Sequence, residues 1–219
     1  MGDGAGDEEN YSKRDYSNKL VGKGAPRCAE EAYVELFNIL THSYPECRVI
    51  GVSSAKCAEG KSLLCANLAK TAANAGYKTV LLECDMRCPA LGKILGVGSR
   101  GALGEILGAH KEYDGSLKAG VSSKLDALLC GSIPAEQHEL LGSDTMKELV
   151  NHLRSEYDYL IIDTPPAEER ADTEALSPLV DGFILSAREG YSDKKATAEA
   201  ERIIKSTGGR VIGVVENGG

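Results

Sequence analysis

Residues 47–62 read Cys-Arg-Val-Ile-Gly-Val-Ser-Ser-Ala-Lys-Cys-Ala-Glu-Gly-Lys-Ser, and their reading decides the fold. The apolar run Val49–Val52 predicts a buried strand. A loop of small residues follows, and Leu63–Ala75 has the apolar spacing of a helix. Strand, loop and helix meeting at Gly60-Lys61-Ser62 is the layout of a phosphate-binding loop. Backbone N–H groups at a helix N-terminus attract anionic oxygens. Gly60 lets the chain approach a phosphate with no side chain in the way. Ala58, Glu59, Gly60, Lys61, Ser62 and Leu63 are therefore the expected nucleotide contacts. Lys61 would lie against the β- and γ-phosphates of ATP, and the Ser62 hydroxyl on Mg²⁺. An ordinary turn with a solvated lysine has the same residue types, and the flanking strand and helix are what favour a nucleotide. Ala58 stands where such loops often carry glycine, a position that can require positive φ.

The composition sets bounds around this unit. The chain has 219 residues, enough for one α/β domain with a full core. Hydrophobic residues make up 42% and charged residues 26%, a globular balance. A net charge of −8 argues against nucleic acid as a general partner. No apolar run approaches the ~20 residues that span a bilayer. The first residues lack the apolar segment of a secretory signal. The seven cysteines form no Cys-x-x-Cys pair, which suits reduced thiols in a cytoplasm. Cys57 differs from the others because it would fall inside the phosphate loop, where the residue type suits a small space-filler first and an oxidation-sensitive thiol second.

Residues 1–26 are polar and glycine-rich and are expected to be disordered, leaving 27–219 as the single domain. Tyr33, Leu36, Phe37 and Leu40 share one face of a helix over Glu30–His42. Further strands are expected at Thr79–Cys84, Leu125–Leu129, Tyr159–Ile162, Phe183–Ala187 and Val211–Val215. Helices are expected at Leu103–Leu107, Glu136–Glu156 and Thr173–Leu179, with another capped by Ser192 and running through Lys205. The strands are nearly continuous apolar runs and alternate with helices. That pattern predicts a mostly parallel central sheet with helices on both faces. Ligands of such sheets bind at the carboxyl ends of the strands. Glu83, Asp85 and Asp163 converge there. A carboxylate at Asp163, closing the buried run Leu160-Ile161-Ile162, is costly unless paired or metal-bound. It is therefore expected to hold Mg²⁺ opposite Ser62. Glu83 and Asp85 are two residues apart, on one side of an extended chain. One is expected to help hold the metal while the other accepts a proton from an incoming hydroxyl. A helix cap or a solvated turn would use the same residue types without chemistry.

Three ordered motifs carry a resemblance. They are Ser53-Ser54 through Gly60-Lys61-Ser62, then Leu81-Leu82-x-x-Asp85-x-Arg87-x-Pro89, then Tyr157-Asp158-Tyr159-x-Ile161-Ile162-Asp163-Thr164-Pro165-Pro166. Together they resemble the CpsD/CapB-like bacterial tyrosine kinases of capsule and exopolysaccharide synthesis, P-loop NTPases related to MinD and ParA. The resemblance spans about residues 28–217 and includes Asp172 and the closing Gly213-Val214-Val215-x-Asn217. It implies a P-loop NTPase fold and ATP-dependent phosphorylation of protein tyrosines with Mg²⁺. It also implies a membrane activator of the polysaccharide co-polymerase type, a homo-oligomer, and a cytoplasmic protein recruited to the inner face of the membrane. By the same resemblance Lys61, Glu83, Asp85 and Asp163 would be catalytic, and Ser62, Asp85 and Asp163 would bind the metal. Arg87 and Asn217 would join the phosphate loop around the nucleotide.

This chain departs from the family at five places, one of them Ala167-Glu168-Glu169-Arg170, where the usual loop after the proline pair is apolar. Ala58 replaces a glycine, and Glu83 replaces the first aspartate of the second motif. Val34 and Phe37 replace the arginines of the ring-assembly helix, and no tyrosine cluster precedes Gly219. Tyr11 and Tyr16, in the polar N-terminal segment, are then the expected phosphate acceptors. Two alternatives stand beside the kinase. One is a MinD/ParA-type ATPase switch, in which Lys56 matches that family's lysine five residues before Lys61. The other is a catalytically degenerate nucleotide-binding assembly factor.

Overall fold

The apolar runs become strands in the computed structural model, which describes residues 19–97, 103–109, 118–131 and 137–218. They are β1 (Val49–Ser54), β2 (Thr79–Glu83), β3 (Lys118–Ser122), β4 (Leu125–Leu128), β5 (Tyr159–Asp163), β6 (Gly182–Arg188) and β7 (Val211–Asn217). The sheet order is β3-β4-β2-β5-β1-β6-β7, with only the β3–β4 pair antiparallel. The helices are α1 (Arg27–Ser43), α2 (Lys61–Asn74), α3 (Leu91–Leu95), α4 (Leu103–Gly108), α5 (Gln137–Leu141), α6 (Asp144–Glu156), α7 (Arg170–Leu176) and α8 (Lys194–Ser206).

Successive strand residues point to opposite faces, and both faces are covered. Ile50, Val52, Leu81 and Ile161 pack with Phe37 and Leu40 of α1 and Leu64 and Leu68 of α2. Their neighbours Val49, Val80, Leu82, Leu160 and Ile162 pack on the other side with Leu103 of α4, Leu149 and Leu153 of α6, and Leu176 of α7. Phe183 and Leu185 pack with Ile203 and Ile204 of α8. Each fully buried leucine contributes about 2 kcal/mol. This two-sided burial explains why the strands read as unbroken apolar runs.

β1 lies between β5 and β6. After β1 the chain crosses to β2, beyond β5, whereas β6 lies on the opposite side. Connections therefore diverge at the carboxyl end of β1, where an open sheet leaves its ligand crevice.

Several expectations need correction. The helix expected over Glu136–Glu156 is two helices, α5 and α6, parted at Gly142. Ser143 caps the second, its hydroxyl accepting from Met146 N at 3.2 Å. Asp193, not Ser192, caps α8, accepting from Lys195 N at 3.0 Å. The short strand β3 was not foreseen. Of the segment expected to be disordered, residues 1–18 lie outside the described residues, and residues 19–26 are ordered. Leu20 and Val21 are buried. Val21 N donates to Asn67 Oδ1 at 2.9 Å, and Asn67 Nδ2 donates to Lys19 O at 3.0 Å. Among the described residues no helix is long and apolar enough to cross a membrane.

Candidate active site

The loop leaving β1 has two left-handed residues. Gly60 has φ 86°, and a Cβ there would sit 2.9 Å from Asn217 Nδ2. Ala58 has φ 68°, the only positive φ of a non-glycine among the described residues. That conformation costs an L-residue about 1–2 kcal/mol, so the strain foreseen at this position is present in the folded chain. Its neighbour Glu59 is buried and fastens the loop. The Glu59 carboxylate accepts from Lys56 N at 2.8 Å and from the Ser192 hydroxyl. The Glu59 carbonyl accepts from Ser186 Oγ at 2.5 Å and from Asn217 Nδ2 at 3.2 Å. Asn217 Nδ2 also donates to Ser186 Oγ at 2.7 Å. The ends of β6 and β7 thus brace the loop from one side. Lys61, Ser62 and Leu63 form the first turn of α2, where backbone N–H groups lack intrahelical partners. The Leu63 side chain packs partly against the core.

Lys61 is buried, and its Nζ lies 3.3 Å from Asp85 Oδ2. Asp85 Oδ1 accepts from Cys88 N at 3.2 Å. Asp163, at the end of β5, is wholly buried. Cys65 Sγ donates to its Oδ1 at 3.8 Å, and Ser62 also bonds its carboxyl. Its Oδ2 has no hydrogen-bond partner. Burial pushes the Asp163 carboxyl up from 3.8 to about 7; Lys61 opposes this, and Asp85 adds to it. Asp85 and Asp163 are both buried, and Lys61 lies beside Asp85. This excess of buried negative charge, with an orphaned carboxylate oxygen beside a hydroxyl, fits a hard cation such as Mg²⁺. A buried ion pair is weak evidence for stability, so the Lys61–Asp85 pair is better explained by ligand binding.

Glu83 does not join this group as expected. Its Oε1 accepts from Ala90 N at 2.9 Å and Leu91 N at 2.8 Å. Its Oε2 accepts from Cys130 N at 3.1 Å. The cause is local. Cys84 N and Asp85 N both donate to Asp163 O, at 2.9 and 3.0 Å. Two successive donors on one carbonyl break the strand's alternation, as in a β-bulge. Glu83 and Asp85 therefore serve different partners. Glu83 anchors the start of α3 and the end of β4, and these bonds do not support a proton-accepting role.

Arg87 is likewise engaged by protein groups. Its guanidinium meets Glu169 at 2.7 Å and the buried Asp172 at 3.0 Å. Gln137 Nε2 also donates to Asp172 Oδ2 at 3.0 Å. Arg87 therefore ties the loop after β2 to α7. Of the bracing residues, Arg87, Asp172 and Asn217 stood in sequence motifs, and Ser192 read as a helix cap. Ser186, Glu169 and Gln137 carried no local signal of their contacts, because only the fold brings them to the site.

At the rim, Cys57 and Cys88 are both exposed. The neighbouring Cys88 thiol brings the Cys57 thiol down to about 7, assisted by Lys61 and opposed by burial, Asp85 and Glu168. The Cys57 thiol and burial push the Cys88 thiol up.

Comparison with known proteins bears on this geometry. A family model described as "ParA: NUBPL iron-transfer P-loop NTPase" matches residues 47–218. Tyrosine-protein kinase CpsD of Streptococcus pneumoniae is 32% identical over 190 residues, covering 86% of this chain and 84% of that protein. The chain belongs to the bacterial tyrosine-kinase family of P-loop NTPases. Its similarity to this family extends to solved structures. The chimerical protein CapA2B2 matches with a TM-score of 0.82 and 27% identity, covering 93% of this chain and 90% of that one. The septum site-determining protein MinD of Pyrococcus horikoshii OT3, complexed with Mg-ADP, has a TM-score of 0.64 at 20% identity over 78% of this chain and 70% of its own. That second likeness is one of fold alone. CpsD of Streptococcus pneumoniae is thus nearer in sequence, and CapA2B2 nearer in shape, than this MinD.

Proposed function

We propose that this chain is an ATP-dependent protein-tyrosine kinase acting in capsular or exopolysaccharide synthesis and export. The observation that carries the reading is the buried Lys61–Asp85 pair beside the orphaned Asp163 carboxylate, at the start of the helix that follows the phosphate loop. The phosphate loop and the first turn of α2 bind the nucleotide phosphates, with Lys61 leaving Asp85 for their oxygens. Ser62, Asp85 and Asp163 would hold Mg²⁺, which neutralises charge on the transferred phosphoryl group. The tyrosine oxygen bonds to the γ-phosphorus, the bond to the β–γ bridging oxygen breaks, and ADP leaves. Glu83 is already bound by three backbone N–H groups. Asp85 is therefore the second-motif carboxylate left to take the tyrosine proton. Arg87 and Asn217 act by bracing the loops around the nucleotide.

Tyr157 and Tyr159 are buried and are poor acceptors. Tyr11 and Tyr16, outside the described residues, are the proposed acceptors, phosphorylated in trans. The family resemblance supports a membrane activator of the polysaccharide co-polymerase type, a homo-oligomer and work at the cytoplasmic face of the membrane.

Incubation with ATP and Mg²⁺, followed by phosphotyrosine detection and phosphate-release assays on the same samples, tests the reading. A kinase forms phosphotyrosine that EDTA abolishes, and mass spectrometry then finds it on Tyr11 and Tyr16. Phosphate on Tyr191 alone contradicts the acceptor assignment. Phosphate release without phosphotyrosine indicates a MinD/ParA-type switch, the reading that the ParA family match favours. Neither signal indicates a degenerate assembly factor.

A further inference from the structure

The loop after β5 carries two acids that the phosphate chemistry leaves unused, Glu168 and Glu169. The loop is held in place. Ala167 is wholly buried, and its N donates to Ser54 O at 2.7 Å, where β1 runs into the phosphate loop. Ser53 Oγ donates to Pro165 O at 2.9 Å. Glu169 N donates to Pro166 O at 2.9 Å, which closes a tight turn with Glu168 at its tip. The Glu169 carboxylate meets Arg87 at 2.7 Å, two residues beyond Asp85. Glu168 is thus pinned between the phosphate loop and the loop that carries Asp85, and it is exposed. The Glu169 charge is offset by Arg87, whereas Glu168 has no ion pair among the described residues.

Transfer brings a tyrosine oxygen to the γ-phosphate beside Asp85, so the segment carrying that tyrosine comes in against this turn. In an extended chain, side chains two residues apart share a side and lie about 7 Å apart. A lysine or arginine two residues from the tyrosine is therefore placed to meet Glu168. The tyrosines of this chain divide on that criterion. Tyr11 has Lys13 at that spacing, and Tyr16 has Arg14. Tyr33 has Glu31 and Glu35, and Tyr191 has Glu189 and Asp193. Tyr113 has Lys111 but an acid on each side, Glu112 and Asp114. We propose that Glu168 selects the acceptor, so that the site takes tyrosines with a lysine or arginine two residues away, namely Tyr11 and Tyr16 of a second copy, and rejects tyrosines flanked by acids. This selection rests on the kinase reading above; the docking of a basic segment at Glu168 does not.

The test gives the full chain, with Mg-ATP, two peptides that span residues 8–19. One has the natural sequence, and the other carries Lys13→Glu and Arg14→Glu. Mass spectrometry of each peptide yields its kcat/KM. The natural peptide should be favoured by about fivefold or more, the worth of one or two exposed ion pairs, and the preference should shrink as salt rises. Glu168→Gln should level the two peptides, and Glu168→Lys should favour the acidic one. A general loss of activity in a variant lowers both rates together and does not imitate that inversion. Equal use of both peptides by the wild type, or a preference that Glu168→Lys leaves unchanged, overturns the inference. Fluorescence anisotropy of labelled peptides with Phe in place of both tyrosines reads docking apart from transfer. Preferential binding of the basic peptide that Glu168→Lys inverts, with no phosphotyrosine formed on either natural or acidic peptide, upholds the docking at Glu168 and overturns the kinase reading instead.

Discussion

Asp163 is the residue whose environment departs most from what its chemistry prefers. Its carboxyl is buried, one oxygen has no partner, and it is pushed up from 3.8 to about 7. Because the folded value lies above the unfolded one, the neutral form contributes stability that is complete below about 4 and lost as pH rises through about 7. A shift of about three units corresponds to roughly 4 kcal/mol at most, at 1.36 kcal/mol per unit. In EDTA at pH 8, Asp163→Asn should therefore be more stable than the wild type by about 1–4 kcal/mol, with the advantage fading towards pH 4. Saturating Mg-ATP should reverse the order. Thermal unfolding across pH, with and without Mg-ATP, checks this, and equal pH profiles would contradict it. Ala58 makes a second case at this scale. The left-handed backbone at Ala58 belongs to the folded chain, so its strain burdens folding. Ala58→Gly should be within about 0.5 kcal/mol of wild type, because relief of strain is offset by a freer unfolded chain. Ala58→Val should lose at least about 1 kcal/mol, since a β-branched residue is a genuine outlier there. Denaturant titration separates the two, and a Val variant as stable as the Gly variant would refute the conformational argument.

Among the elements, those buried on both faces were legible from their residues, and those at edges and joints were not. β1, β2, β5 and β6 announce themselves as apolar runs because each side chain meets a core on one face or the other. β3 is a short edge strand, Lys-Ala-Gly-Val-Ser, with no such run. The α5–α6 joint was missed because apolar spacing continues past Gly142 while the backbone does not. Glu83 was misread for a related reason. Strict alternation puts it beside Asp85, but the paired donation of Cys84 N and Asp85 N to Asp163 O interrupts the strand. Hydrogen bonds to a charged group contribute about 1.5–3 kcal/mol each. Glu83 accepts three, shared between α3 and β4. Glu83→Ala should thus destabilise the fold by about 3 kcal/mol or more, with the loss visible in the absence of any nucleotide. An unchanged melting temperature would mean that the carboxylate is not the anchor described.

Over the whole molecule, the positions of the candidate site residues were more legible than the contacts that brace them. The phosphate loop, Lys61, Asp85 and Asp163 could be read because each lies at a strand end or a helix start, where local pattern decides position. Arg87 with Asp172 and Glu59 with Ser192 are pairs that only the assembled sheet creates. The fold also excludes a solvated Lys61, which is buried against Asp85. Removing it alone leaves a buried carboxylate unpaired, at a cost of about 3–5 kcal/mol. Neutralising both partners in Lys61→Met/Asp85→Asn avoids that cost and separates binding from folding. Calorimetric titration of Mg-ATP into the wild type and this double variant, beside their unfolding curves, is the most direct measurement. The predicted result is wild-type binding and a double variant that stays folded but binds at least a hundredfold more weakly. A folded double variant with wild-type affinity would contradict the assignment of this site to the nucleotide.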